Sequence, residues 1–208
     1  MRGNLVHPRH KSDAPDQAEL CRPLVLVGLM GAGKSSVGRR LAMTLDVPFM
    51  DSDQEIEEAA GLSIPEFFEK YGEEEFRAGE RRVIARLMAE GPCVLATGGG
   101  AFMAEESRAL MGQAGVTVWI NAEVDTLWDR VRQKDTRPLL RTPDPRGTLQ
   151  ALADTRYPTY ALADVTVMSE PGQPHEAVVH AILAALRTRD ETLPQEARTF
   201  RPVPDSQT

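Results

Sequence analysis

The chain has 208 residues, 41% of them hydrophobic, which is enough for one domain with a proper core. Only 5% of the residues are aromatic and the formal net charge is −7 at pH 7. A protein that binds a nucleic-acid backbone normally carries a basic surface, so this composition argues against nucleic acid as a partner.

The chain begins with a polar segment, residues 1–22, which we expect to be a flexible N-terminal arm. It lacks the apolar stretch of a signal peptide, and no apolar run approaches the length of a membrane span. Cys21 and Cys93 have no metal-ligand spacing and are expected to be free thiols. We therefore expect a cytoplasmic protein with no membrane partner.

Residues 23–186 alternate short apolar runs with helical patterns and form the expected folded domain. The predicted strands are 24–28, 48–51, 93–97, 116–120 and 164–168. The predicted helices are 34–45, 52–61, 63–72, 73–90, 123–133, 148–158 and 174–187. Ser63 and Glu66 have the spacing of a capping box. Residues 187–208 are polar and rich in proline, and they predict a disordered C-terminal tail.

Strands separated by helices indicate a parallel sheet with helices on both faces, an α/β/α sandwich of three layers with five central strands. The strands are continuous apolar runs, as expected when both faces of a sheet are covered. In such folds, ligands bind beyond the carboxyl ends of the strands. The functional residues are therefore expected just after each strand.

The first strand runs into "GLMGAGKSS", which matches G-x-x-x-x-G-K-[ST] and predicts a P-loop NTPase-type phosphate site. Glycines let backbone N–H groups approach phosphate oxygens, and the start of the next helix adds its positive end. An ordinary glycine-rich turn is the alternative, but the flanking strand and helix favour phosphate. The predicted ATP-binding residues here are Gly31, Ala32, Gly33, Lys34, Ser35 and Ser36, and the Ser35 hydroxyl is a candidate Mg²⁺ ligand.

Several P-loop functions fit the sequence poorly. A switch GTPase needs N-K-x-D, which is absent, and the D-x-x-G at Asp144–Gly147 lies in a proline-rich loop, so we treat it as chance. A motor ATPase usually has a strand that ends in an acidic residue, whereas here the third strand ends in "LATGGG". The small size favours a kinase for nucleotides or metabolites.

Six segments in order resemble the shikimate kinase family: "GLMGAGKSSVGRRLA", "FMDSD", "EEFRAGE", "TGGGA", "RPLL" and "RYPTYALAD". The resemblance covers residues 23–186. It implies transfer of the γ-phosphoryl group of ATP to the 3-hydroxyl of shikimate, with Mg²⁺, in the synthesis of chorismate and aromatic amino acids. It also implies a monomer with ATP and shikimate as its small-molecule partners.

The resemblance places Asp51 on the metal side, through water, and Asp53 at the shikimate hydroxyls. Physically, a carboxylate can accept a proton from such a hydroxyl, although "DSD" could equally be a helix cap formed by Ser52 or Asp53. Arg77 and Arg156 would bind the shikimate carboxylate through paired hydrogen bonds. The alternatives are a helical salt-bridge network for Arg77 and an ordinary surface position for Arg156.

The resemblance further implies that Gly98, Gly99 and Gly100 offer backbone N–H groups to the substrate, although a tight turn that needs positive φ would also select glycine. Arg137 belongs to the family's lid, about residues 134–147, and would add positive charge to the transferring group; a solvated loop arginine is the alternative. Arg130 would stack on adenine, with Pro174 against its other face.

Together these residues predict catalysis by positioning and charge neutralisation, with Lys34, Mg²⁺ and Arg137 at the phosphates and Asp53 at the hydroxyl. A gluconate kinase shares the architecture and an acidic substrate, so it is the nearest rival enzyme. A nucleotide-binding regulatory module is a rival of another class, and it would bind ATP without forming a phosphorylated product.

Overall fold

A computed structural model describes residues 18–132, 138–140 and 142–202. The strands in chain order are β1 Ala18–Leu20, β2 Leu24–Val27, β3 Phe49–Asp51, β4 Val94–Ala96, β5 Val116–Asn121, β6 Val165–Met168 and β7 Phe200–Pro202. The α-helices are α1 Lys34–Leu45, α2 Ser52–Ala60, α3 Ile64–Ala89, α4 Glu105–Ala114, α5 Val124–Val131, α6 Pro145–Tyr160 and α7 His175–Glu191. Single turns of 3₁₀ helix span Ala101–Met103, Pro138–Leu140 and Gln195–Ala197.

Five parallel strands form the central sheet in the order β3-β4-β2-β5-β6. All four residues of β2 are buried, because helices cover both faces of the sheet. The strand order reverses direction at β2, whose neighbours β4 and β5 come later in the chain. A crevice is expected at the carboxyl ends of strands at such a reversal. The predicted three-layer fold with five parallel strands is confirmed.

Helix α1 starts directly at the glycine-rich loop. Gly33 occupies its N-cap position with φ 100°, a left-handed conformation that a residue with a Cβ rarely adopts. Val37 and Leu41 point into the core and fix the helix against the sheet. The first turn of α1 therefore faces the crevice with no capping side chain at Gly33.

Helix α3 contains the two helices predicted at 63–72 and 73–90. Its start is the capping box predicted for Ser63 and Glu66, in which the Glu66 carboxylate accepts from Ser63 N at 2.8 Å. Gly72 (φ 80°, ψ 175°) interrupts the helical backbone between the two halves. The prediction of a break at Gly72 agrees with this conformation.

Helix α6 departs from the prediction at both ends. It begins at Pro145 rather than at 148, because the Asp144 carboxylate caps it by accepting from Gly147 N at 2.9 Å. The D-x-x-G sequence is therefore a helix start. The helix also continues beyond Pro158 to Tyr160, although a proline inside a helix removes one N–H from the helical ladder and its ring crowds the carbonyl one turn earlier. Sequence reasoning also did not predict helix α4.

The predicted disorder of residues 187–202 and the predicted flexibility of residues 18–22 are wrong. Strands β1 and β7 pair antiparallel, and α7 runs on to Glu191. The buried Asp190 carboxylate accepts from Thr199 N at 2.8 Å and from Phe200 N at 3.0 Å. The β1–β7 pairing joins distant parts of the chain, and the other contacts depend on one buried carboxylate, so a polar, proline-rich composition did not indicate them. Residues 1–17 and 203–208 lie outside the described ranges.

Among the helices of the described ranges, none combines the length and the apolar character that crossing a membrane requires.

Candidate active site

A cleft of about 1440 Å³ lies at the carboxyl ends of the sheet strands. We call the glycine-rich loop 28–36 at one end of it the phosphate cradle. The other end is lined by side chains from α2, α3 and α6 together with the glycines that follow β4, and we call it the acid pocket. The acid pocket comprises Asp53, Arg77, Glu80, Gly98, Gly99, Gly100 and Arg156.

Glycine is required in the phosphate cradle by its backbone geometry. Gly28 and Gly31 have φ values of 142° and 83°, and an added Cβ would lie 2.7 Å from Ile120 O and 2.8 Å from Val131 Cγ1, respectively. Lys34 Nζ donates to Gly28 O at 2.8 Å, which holds the ammonium group over the loop. All six residues predicted to bind ATP in this loop line the cleft. The loop therefore offers backbone amides, a helix start and an ammonium group to one anion.

The candidate metal side pairs a hydroxyl with a carboxylate. Ser35 Oγ donates to Asp51 Oδ2 at 2.9 Å, and Asp51 Oδ1 accepts from Asp53 N at 3.2 Å as the cap of α2. The cap is thus Asp51, and neither Ser52 nor Asp53, the two residues suggested for it from the sequence. Buried Ser52 instead accepts from Gly98 N at 3.3 Å through its Oγ. Adjacent hydroxyl and carboxylate oxygens are hard donors that fit Mg²⁺.

The described residues contain no group of three or more His, Cys, Asp and Glu side chains able to hold a metal ion. Mg²⁺ at phosphoryl-transfer sites usually takes one or two protein ligands, and substrate phosphates and waters complete its shell. Ser35 and Asp51 satisfy that requirement at the edge of the phosphate cradle.

In the acid pocket, side chains pack directly onto bare backbone. A Cβ added to Gly98 would lie 2.5 Å from Asp53 Oδ1, and one added to Gly100 would lie 2.5 Å from Arg77 Nη2. None of the three glycines 98–100 has a positive φ. The tight-turn explanation therefore does not apply, and the close approach of side chains explains why glycine stands here.

Arg77 is held by two carboxylates on its own helix. Its Nη1 lies 2.7 Å from Glu80 Oε2, and its Nη2 lies 3.4 Å from Glu73 Oε1. Glu80 is only 2% exposed, whereas Glu73 lies largely in water. The expected salt-bridge network is therefore present. Its shorter ion pair, between Arg77 and the buried Glu80, orients the guanidinium group over Gly100.

Sequence reasoning missed Glu80 as a member of the site. Burial raises the pKa of the Glu80 carboxyl; the positive charge of Arg77 opposes that shift, and the nearby Asp53 carboxylate adds to it. The available signal was the spacing Phe76, Glu80, Ile84, which puts an acid on the buried stripe of a helix. A charged residue at such a position is almost never buried unless it is paired.

Arg156 reaches the same glycines from helix α6. Its Nη1 donates to Gly99 O at 3.1 Å, beside the Gly100 backbone that Arg77 covers. The Tyr160 hydroxyl, which sequence reasoning also missed, donates to the same carbonyl. The fold thus brings together two guanidinium groups that are widely separated in the sequence. Two planar cations beside exposed backbone can bind a carboxylate.

The residues predicted to contact adenine are only partly brought together. Arg130 lines the cleft and donates to Ser169 Oγ at 3.0 Å and to Glu170 O at 2.9 Å, and burial lowers the pKa of its guanidinium. Pro174 is the N-cap of α7 and does not line the cleft, although its neighbours Gln173 and His175 do.

The predicted lid, 134–147, is described only in part. Arg137 lies outside the described residues, so its predicted position over the phosphates is left open. Leu139 lines the cleft from the Pro138–Leu140 turn. Residues 145–147, at the end of the range predicted as a lid, belong to helix α6.

A glycine-rich loop between a parallel strand and a helix, facing a pocket lined by two arginines, is typical of P-loop proteins of the small-molecule kinase class. The family model described as shikimate kinase matches residues 30–187. The chain is 56% identical over 189 residues to a shikimate kinase from Ruegeria pomeroyi, which covers 91% of this chain and 97% of that protein. It is 52% identical to one from Rhodopseudomonas palustris, over 83% of this chain and 87% of that protein. This chain therefore belongs to the shikimate kinase family.

Among solved structures, the fold matches a shikimate kinase from Acinetobacter baumannii in complex with shikimate, with a TM-score of 0.76 and 36% identity. That match covers 85% of this chain and 97% of the other. The fold and the family therefore agree.

Proposed function

We propose that this protein transfers the γ-phosphoryl group of ATP to the 3-hydroxyl of shikimate and forms shikimate 3-phosphate and ADP. One observation supports this most directly: a single cleft has a phosphate cradle at one end and two converging arginines, Arg77 and Arg156, at the other. An anionic triphosphate and a hydroxy acid would meet between them. The relatives named shikimate kinase support the same assignment.

At the phosphate end, we assign binding of the triphosphate to the backbone of the cradle and to Lys34. The ammonium group already lies over the loop, so its charge is in place before the substrate arrives. Ser35 and Asp51 would hold Mg²⁺, which supplies neutralisation of phosphate charge when bound. Little covalent chemistry is required of the protein at this end, because such transfers depend chiefly on position and charge.

At the acid end, we assign the shikimate carboxylate to Arg77 and Arg156, beside the backbone of Gly98–Gly100. A guanidinium group matches a carboxylate with two parallel hydrogen bonds, which sets the direction of the ring as well as its affinity. Asp53 belongs to the acid pocket, two residues after Asp51 on the candidate metal side, and would orient the attacking hydroxyl and accept its proton. Binding at both ends then leaves the hydroxyl facing the terminal phosphate.

The other predicted roles remain part of the proposal. They are the adenine contact of Arg130, with Pro174 as a weaker candidate, and the lid role of Arg137. Mg²⁺ as the metal, a monomeric state and a cytoplasmic location are also proposals. Light scattering after size-exclusion chromatography tests the monomer, and activity after chelation and return of Mg²⁺ tests the metal.

The decisive experiment is a coupled ADP assay with shikimate, gluconate and no acceptor, together with mass spectrometry of the products. We expect ADP release that depends on shikimate and a product that carries one added phosphoryl group. Turnover with gluconate but not shikimate would replace the proposal with the rival kinase. ATP binding with no phosphorylated product would instead favour the regulatory module.

A further inference from the structure

Tyr160 lies one helical turn after Arg156 on α6 and shares its hydrogen-bond acceptor. The Tyr160 hydroxyl and Arg156 Nη1 both donate to the carbonyl of Gly99. Tyr160 is completely buried, and a buried hydroxyl needs such a partner. One carbonyl of the acid pocket is thus bound by a half-buried arginine that lines the cleft and by a buried phenol.

The phenol ring is held by the core, whereas its hydroxyl meets Gly99 and Arg156 of the acid pocket. Its ring packs near Phe102 and Trp119, with centroids 6.5 Å and 6.0 Å away. Phe102 belongs to the 3₁₀ turn that directly follows the glycines, and Trp119 belongs to β5. The fold therefore fixes the Tyr160 hydroxyl, and that hydroxyl fixes the Gly99 carbonyl.

Fixing this carbonyl has a consequence on the other side of the peptide. In a trans peptide the C=O of one residue and the N–H of the next point in opposite directions, and the described chain has no cis peptide. Holding the Gly99 carbonyl towards Tyr160 and Arg156 therefore also sets the direction of the Gly100 N–H. Gly100 is the residue that the Arg77 guanidinium covers.

We propose that Tyr160 is a positioning residue for the acid pocket, acting through the Gly99 carbonyl to preorganise Arg156 and the backbone beside Arg77. This inference rests on the proposed assignment of that pocket to the shikimate carboxylate. The hydroxyl need not touch substrate, and its effect falls on binding of the acid.

Tyr157 provides a matched control on the same helix. Its hydroxyl also donates to a backbone carbonyl, that of Ala122, and its ring also packs on Trp119, at 5.2 Å. Ala122 does not line the cleft. Tyr160→Phe and Tyr157→Phe each remove one oxygen that donates to a backbone carbonyl, from a buried side chain at Tyr160 and a half-buried one at Tyr157, and only the former loses a contact with the acid pocket.

The test compares the two variants by steady-state kinetics and by urea unfolding. We expect Tyr160→Phe to raise KM for shikimate about fivefold, the effect of one net hydrogen bond. KM for ATP and kcat should stay within about twofold. Tyr157→Phe should leave all three constants unchanged, and urea unfolding shows how much stability each variant loses. Equal shikimate KM values in the two variants would overturn the proposal.

Arg156→Ala separates failure of this inference from failure of the site assignment. If Arg156→Ala leaves KM for shikimate unchanged, the acid pocket itself is wrongly assigned. If Arg156→Ala raises that KM and Tyr160→Phe does not, the positioning role alone is wrong. The double variant with Arg156→Ala and Tyr160→Phe should raise KM for shikimate by less than the product of the two single increases, since both groups act on one carbonyl. A Tyr160→Phe chain that cannot fold, beside a folded Tyr157→Phe chain, would also contradict the proposal.

Discussion

The two ends of the cleft are built in different ways. The phosphate cradle is one continuous segment, and its shape comes from backbone conformations that glycine alone adopts readily, such as φ 142° at Gly28. The acid pocket is assembled from α2, α3, the turn after β4 and α6, and its shape comes from side chains packed on bare backbone. One end is local in sequence and the other depends entirely on the tertiary fold.

This difference implies different consequences of mutation. Under the proposed function, a change in the cradle alters groups that would meet the transferring phosphate, so the loss should appear in kcat. A change in the acid pocket alters groups that meet a remote part of the acceptor, so the loss should appear mainly in KM for shikimate. Measuring kcat and KM for shikimate separately therefore distinguishes the two ends of the cleft.

The largest effect is expected for Lys34→Ala. Removing the ammonium group deprives the transferring phosphate of a preorganised counter-charge, and we expect kcat to fall about 10²- to 10³-fold. KM for shikimate should change little. Initial rates measured with each substrate varied in turn give both constants.

Arg40→Ala is the matched control for Lys34→Ala, since it removes a positive charge further along the same helix, where Arg40 forms an exposed pair with Glu176 at 2.7 Å. Such surface pairs contribute little, so activity should be nearly unchanged. A Lys34→Ala enzyme with nearly normal kcat would contradict the cradle.

Arg77→Ala should raise KM for shikimate about 10- to 100-fold, the effect of losing a charge-assisted hydrogen-bond pair. ATP affinity, measured by titration without acceptor, should be retained. Arg86→Ala is the control, because Arg86 lies on the same helix in exposed pairs with Glu55 and Glu90. Weaker ATP binding in Arg77→Ala would place this arginine at the wrong end of the cleft.

Smaller effects than those of the two charge deletions are expected when one glycine at each end of the cleft, Gly28 or Gly100, is replaced by alanine. Gly28→Ala forces a strained φ and puts a methyl group 2.7 Å from the backbone oxygen of Ile120, so we expect a stability loss of about 1–3 kcal/mol. The methyl group of Gly100→Ala meets the end of the Arg77 side chain instead of backbone, and the position needs no positive φ. It should displace the guanidinium group and raise KM for shikimate about three- to tenfold, with little loss of stability.

Gly112→Ala controls for the substitution itself. Gly112 lies within helix α4 and an added Cβ meets nothing within 4 Å, so alanine there should stabilise the protein by about 0.5–1 kcal/mol. Urea unfolding of the three variants, together with their kinetics, gives the comparison. Equal stability losses for Gly28→Ala and Gly100→Ala would remove the distinction between backbone and side-chain contacts.

The same contrast explains what could be predicted from the sequence. The five strands and the start of α1 were predictable because apolar runs and a glycine-rich motif act locally. Glu80 was missed because it was grouped with its exposed neighbours on α3, although its burial follows from the stripe it shares with Phe76 and Ile84. Tyr160 was missed because its partner, Gly99, is distant in sequence.

The prediction of disorder in the C-terminal segment, residues 187–202, was wrong for a related reason. Composition describes how a segment would behave alone, whereas β7 is held by pairing with β1 and by the buried Asp190. Neither contact leaves a periodic pattern in the sequence. Non-local hydrogen bonds therefore account for most of what sequence reasoning could not provide, both in the tail and in the acid pocket.

The smallest expected effect concerns the pH dependence of stability at Glu80. Burial raises the pKa of this carboxyl in the folded protein above its value in the unfolded chain, about 4.3. Between those two values the folded state binds more protons than the unfolded state, so this contribution to stability falls as pH rises. It is fully present below about pH 4.3. Glu80→Gln cannot titrate, so the stability of wild type relative to this variant should decline as pH increases.

Urea unfolding of wild type and Glu80→Gln across this pH range measures the decline directly. Glu73→Gln is the control, because it removes the other acidic partner of Arg77, which lies mostly in water and contributes little. The sign of the result is informative, since two effects oppose each other at Glu80. A wild-type advantage that grew with pH would mean that attraction to Arg77 outweighs the cost of burying the carboxylate. In that case the buried pair would stabilise the acid pocket, instead of orienting Arg77 at a cost in stability.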